Sequence, residues 1–129
     1  MLGNEAEKNR MDMDISEIDS LAALLGIKVI WTGIPLREVP KNIREVLVMI
    51  AREAIANAVK HAEAQNVAID MATSNTEMTI TITNDGKRPV GKVNIGGGLS
   101  NIRRTVEAQK GKLEVMVKEQ FVLSIKIPC

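Results

Sequence analysis

The sequence predicts an α+β domain, a two-layer α/β sandwich with helices on one face of a mixed, mainly antiparallel sheet. Three observations predict it. Short segments such as Val67-Ala68-Ile69-Asp70-Met71 and Met78-Thr79-Ile80-Thr81-Ile82 alternate apolar with polar residues, the pattern of strands that bury one face and wet the other. Two longer segments, around residues 41–64 and 99–110, carry apolar residues at helical spacing and supply the second layer. At 129 residues the chain is long enough for one hydrophobic core and short enough to need only one.

The elements follow in order. Residues 1–13 are charged and lack apolar periodicity, so they read as a leader or linker, with the folded domain spanning 14–129. Asp14 can cap a short helix that places Ile15, Ile18, Leu21 and Leu25 on one side and stops at Gly26. Ile27 to Thr32 reads as a strand, and Gly33, Pro35 and Pro40 mark the loop after it. A long helix then runs from about Lys41 to Ala64. Two strands follow, around Val67–Met71 and Met78–Ile82, joined by a turn at Ser74-Asn75. Residues 83–98 form a loop rich in Gly, Asn and Pro. A helix over Leu99–Lys110 stops at Gly111, and strands Leu113–Val117 and Phe121–Ile127 complete the chain.

Composition narrows the function classes. The net charge is +1 with both signs interspersed, which offers no basic surface for nucleic acid. One Trp, one Phe and no Tyr leave no aromatic platform on which bases could stack. The single cysteine, Cys129, excludes an internal disulfide and points to a reducing, cytoplasmic setting. The N-terminus has no signal-peptide core and no apolar run reaches membrane-spanning length, so any membrane anchor of a parent protein would lie in a part not represented here.

Polar residues on the long helix point to a ligand. Ile43, Val46, Leu47 and Ile50 define a core stripe, and at 100° per residue Glu53, Asn57 and His61 extend it. A carboxylate, an amide and an imidazole on such a face need satisfaction, which a metal, phosphate or base would provide. Gly96-Gly97-Gly98 runs into a predicted helix N-terminus, where free N–H groups and the helix dipole favour anions and the lack of Cβ atoms allows close approach. Together the two clusters point to a phosphate-bearing ligand.

These residues resemble a family. Glu-x-x-x-Asn-x-x-Lys-His on a helix, Asn-Asp-Gly at a strand end and Gly-x-Gly-Leu opening a helix resemble the GHKL, or Bergerat-fold, ATPases, and within them the ATP-binding catalytic domain of a bacterial two-component sensor histidine kinase. Glu53, Asn57, Lys60 and His61 stand as its N-box, Asn84-Asp85-Gly86 as its G1 box and Gly96-Gly97-Gly98-Leu99 as its G2 box. The resemblance implies ATP and Mg²⁺ as ligands. Asn57 would hold the metal while phosphates and waters complete its shell. Lys60 would offer charge to the phosphates and His61 would contact phosphate or ribose. The backbone around Gly96, Gly98 and Leu99 would close over the phosphates, and Glu53 would serve as the base or orient the metal's waters.

The G1 box departs from the family pattern. Its usual Asp, which accepts from the adenine amino group, is replaced by Asn84, and Arg88 stands where a glycine is expected. Strand alternation puts Asn84 on the inward face with Met78, Ile80 and Ile82, which favours it over Asp85 as the base contact. Exchange of the ionic acceptor for an amide costs on the order of 1 kcal/mol.

His61, the only histidine, lies inside the nucleotide motif, so the resemblance implies a domain that binds ATP and does not phosphorylate itself. Its partners would be the dimerisation and phosphoacceptor domain of a parent kinase and, through that, a response regulator. A stand-alone GHKL serine kinase of the anti-sigma-factor type and a degenerate docking module are the alternative readings.

Overall fold

The computed structural model describes residues 16–87 and 98–129. Residues 16–24 are helical (α1), followed by strand β1 (Lys28–Gly33), a short 3-10 turn at Leu36–Glu38 and the long helix α2 (Lys41–Ala62). Strands β2 (Asn66–Thr73) and β3 (Glu77–Asn84), helix α3 (Gly98–Ala108) and strands β4 (Lys112–Val117) and β5 (Phe121–Pro128) complete it. The five strands form one sheet in the order β1-β2-β3-β5-β4, with β1 parallel to β2 and the other neighbours antiparallel. The expected sandwich and its mainly antiparallel sheet are present.

Strand alternation sets the inner face. Val67, Ile69 and Met71 on β2, Met78, Ile80 and Ile82 on β3, and Leu123, Ile125 and Ile127 on β5 are buried, while their sequence neighbours are wholly or partly exposed. Ile43, Leu47, Ile50, Ala51, Ile55 and Ala58 of α2 cover them, together with Leu99, Ile102 and Val106 of α3. Every buried residue among those described is apolar.

Helix α2 has no Gly or Pro in its interior and four alanines in the stretch from Ala51 to Ala58, a composition that favours the helix and allows close packing. It ends two residues earlier than expected. Glu63 takes a left-handed conformation (φ 51°), and the Glu63 and Ala64 N–H groups both reach back to the Ala58 carbonyl, closing the last turn. Arg52 of α2 forms an ion pair with Glu17 of α1, which ties the first helix to the second.

Helix α1 differs from expectation in its buried side. Ile18 and Ala22 are buried, Leu21 is half-buried, and Leu25 is exposed because it follows the last helical residue and lies in the turn closed at Gly26. Asp14 and Ile15, the charged leader 1–13, and Gly96 and Gly97 lie outside the described residues.

Candidate functional site

The second half of α2 decides which polar side chains can serve a ligand. Burial moves round the helix after Ile50, onto Ala51, Ala54, Ile55, Ala58 and Ala62. The row Glu53-Asn57-His61 therefore runs beside the core and not over it. Glu53 and Asn57 are half-buried along the rim, and His61 is exposed in the last turn. Placing His61 on the core stripe is thus corrected: extrapolating from Ile43 to Ile50 ignores the drift of the buried face along a helix that crosses a twisted sheet. Lys60 is likewise exposed, and in the last turn both side chains also lie where the helix dipole favours positive charge.

The start of α3 meets this rim. A Cβ placed on Gly98 would lie 2.5 Å from Glu53 Oε2 and 3.2 Å from both the oxygen and the nitrogen of the Asn57 amide. Only a glycine lets the backbone come this close, so the expected glycine motif and the expected polar row converge at Gly98. Leu99, the next residue, is buried in the core, and Thr105 Oγ1 donates to Met49 Sδ at 3.6 Å two turns further along α3. Neither the Glu53 carboxylate nor the Asn57 amide has a hydrogen-bond partner among the described residues. A hard carboxylate and an amide oxygen beside the first N–H groups of a helix suit a divalent cation and the phosphates it neutralises. Among the described residues no three His, Cys, Asp or Glu side chains cluster to hold a metal alone, so phosphates and waters would supply most of its ligands.

Gly98→Ala tests this closeness. The nearest atom is the free end of a flexible glutamate, so Glu53 can swing aside at small cost to the fold, and a helical alanine is favoured over glycine by up to about 1 kcal/mol. The melting temperature is expected to hold or rise slightly, while affinity for the nucleotide expected from the sequence falls by roughly tenfold or more as Glu53 is displaced. Thermal melts and nucleotide titration of the same preparation would check both halves.

At the other end of the site, Asn84 closes β3. Its register partner is buried Val67, so it stands on the inner face as expected, half-buried. Its Oδ1 accepts from the Gly86 N–H at 2.9 Å, an Asx turn that bends the chain toward α2. Gly86 packs against the Ala62 backbone, and the Lys87 N–H donates to the Ala62 carbonyl at 2.7 Å. The strand end is thereby docked on the end of the helix that carries Asn57.

Asp85 performs a task that the motif alone does not reveal. Its Oδ1 accepts from the Gln65 and Asn66 N–H groups at 2.9 and 2.8 Å, and its Oδ2 accepts from Asn66 Nδ2 at 2.7 Å. It pins the α2–β2 connector to the end of β3. The Asn66 side chain, then the N–H groups of Asn66 and Gln65, hold its carboxyl below the ordinary aspartate range. The signal available in sequence was the pairing itself: a hairpin that sets Val67 opposite Asn84 brings Asn66 beside Asp85.

The linkage has a definite sign. A carboxyl whose folded pKa is depressed contributes stability above its unfolded value, and that contribution is lost as pH falls through the folded value. Wild-type protein is therefore expected to lose stability below about pH 4 through this group, and Asp85→Asn to lack that part of the acid dependence. Melting curves of the two proteins between neutral and acid pH would show it; parallel curves would contradict the assignment.

With this geometry established, the chain can be set beside known proteins. No family model matches it. Its relatives by sequence include sensor histidine kinases, and its structural neighbours include histidine kinases and a histidine kinase catalytic domain. One relative is the Bacillus subtilis sensor histidine kinase YxjM, 26% identical over 103 residues that make up 80% of this chain and 25% of that protein. The blue-light activated histidine kinase EL346 of Erythrobacter litoralis superimposes with a TM-score of 0.72 at 20% identity, over 88% of this chain and 40% of that one. The catalytic domain of the histidine kinase ThkA, in a nucleotide-free form, matches with a TM-score of 0.63 at 16% identity, over 91% of this chain and 92% of that domain. The structural likenesses establish the fold. The chain spans about a quarter of the length of the curated relatives it matches. No helix among the described residues is long and apolar enough to cross a membrane.

Proposed function

We propose that residues 14–129 form the Mg²⁺–ATP-binding catalytic domain of a two-component sensor histidine kinase, residues 1–13 being linker. In this reading the domain donates the γ-phosphoryl group of ATP to a histidine on a separate dimerisation domain, from which a response regulator receives it. The observation that carries the proposal is the convergence of Gly98 on Glu53 and Asn57 at the rim of α2, two side chains with no hydrogen-bond partner among the described residues. Sequence similarity to sensor histidine kinases supports it independently.

Each residue has a role that its position permits. Asn57, through its amide oxygen, would hold Mg²⁺, whose charge offsets that of the phosphates. The backbone over Gly96, Gly97, Gly98 and Leu99 would donate N–H groups to phosphate oxygens. Lys60 and His61, exposed on the last turn of α2, would reach phosphate or ribose from the solvent side. Glu53, beside Gly98, would orient a water of the metal shell or accept a proton during transfer. Asn84 would meet the base, and Asp85 and Gly86 would hold it in place.

The two strand-end residues divide affinity and stability between them. Asn84→Ala is expected to weaken nucleotide binding more than Asp85→Ala, whereas Asp85→Ala is expected to lower the melting temperature more than Asn84→Ala. Titration with an ATP analogue and thermal melts of both variants would check the crossing. A larger loss of affinity at Asp85 would make it the base contact instead.

Phosphoryl transfer itself is tested in trans. The chain is incubated with γ-labelled ATP, Mg²⁺ and purified dimerisation domains of sensor histidine kinases. Acid-labile, base-stable label on the added domain, and none on this chain, is the expected result. Label on a serine of an antagonist-type protein would favour the serine-kinase reading, and no nucleotide binding at all would favour a docking module.

A further inference from the structure

We propose that Asn84 makes the base end of this site accept a 6-oxo purine about as well as a 6-amino purine, so that inosine and adenosine triphosphates bind alike. The inference rests on the reading above, in which a nucleotide base meets Asn84, and goes beyond it by naming what the site reads.

The orientation of the Asn84 amide is fixed by chemistry. Of the two poles of an asparagine amide only the oxygen can accept from a backbone N–H, so the 2.9 Å bond from Gly86 identifies the group facing the turn as Oδ1. The other pole is then Nδ2, which carries two N–H donors and makes no hydrogen bond among the described residues. Oδ1 keeps a second lone pair. The half-buried, inward-facing side chain therefore offers an incoming base one acceptor and a pair of donors.

A carboxylate in the same place, holding the same Gly86 N–H, would offer acceptors alone. It would accept from an exocyclic amino group and repel a carbonyl oxygen. The amide removes that repulsion and replaces it with a donor for the 6-oxo group, while the oxygen still serves the 6-amino group. Asp85 does not restore the missing discrimination, because its carboxylate is turned to the α2–β2 connector, where it accepts from Gln65 and Asn66.

The test displaces a fluorescent ATP analogue from the full chain, in Mg²⁺, with ATP and with ITP, in wild-type protein and in Asn84→Asp. ATP and ITP are expected to compete within about threefold of each other on wild type, and Asn84→Asp to favour ATP by about tenfold or more, the scale of one hydrogen bond gained or lost. A wild-type preference for ATP of about tenfold, or a ratio that Asn84→Asp leaves unchanged, would overturn the proposal while leaving nucleotide binding intact. Failure of the analogue to bind wild type at all would overturn the site itself and this inference with it. Should Asn84→Asp not fold, the wild-type ratio alone still decides.

Discussion

Asn57→Ala is expected to lower affinity for Mg²⁺–ATP by roughly a hundredfold, about 2.7 kcal/mol, with the fold intact. The amide has no hydrogen-bond partner among the described residues, so its removal strands no buried group. It is only half-buried, so little packing is lost. Alanine is also the better helix former, which favours the variant by roughly half a kcal/mol. Stability and binding should thus move in opposite directions, as expected of a side chain kept for a ligand and not for the core. Titration with Mg²⁺–ATP and a thermal melt on one preparation would show both. The Mg²⁺ dependence of binding should vanish with the amide, because the nucleotide then loses its bridge to α2.

Gly86→Ala is the opposite case. A Cβ at this position would meet the Ala62 backbone, with the Ala62 carbonyl carbon at 2.8 Å and its Cβ at 2.7 Å. No side chain can swing aside to make room, in contrast to Gly98, where the ends of the Glu53 and Asn57 side chains intervene. The strand end must lift from the helix, breaking the Lys87 N–H bond to the Ala62 carbonyl and straining the Asn84 turn. Overpacking together with a lost hydrogen bond amounts to about 2–3 kcal/mol, or roughly 10 °C in melting temperature for a domain of this size. Nucleotide affinity should fall as well, since Asn84 moves with the turn. A variant that melts with wild type would show that the contact is not tight in solution.

The strands were legible because one face of each packs against helices and the other meets solvent, so burial writes a period of two into β2, β3 and β5. The same logic placed Asn84 on the inner face, and its pairing with Val67 agrees. His61 falls off the buried face because the stripe of α2 turns after Ile50, a tertiary effect that no fixed helical period contains. Leu25 was misread for a related reason, since the helix had already ended. The role of Asp85 was hidden in its motif. Three hydrogen bonds to the α2–β2 connector, far away in sequence, make it a clamp, and local pattern carries no record of them. The meeting of Gly98 with Glu53 and Asn57 joins residues more than forty positions apart. It was legible only through the residue types that two separate motifs brought together.

Calorimetric titration of the chain with a non-hydrolysable ATP analogue, with and without Mg²⁺, tests the central claim most directly. A single saturable site tighter than about 1 mM, dependent on Mg²⁺ and lost in Asn57→Ala, is the predicted result. The absence of binding at millimolar nucleotide, or binding that neither Mg²⁺ nor Asn57→Ala alters, would contradict it.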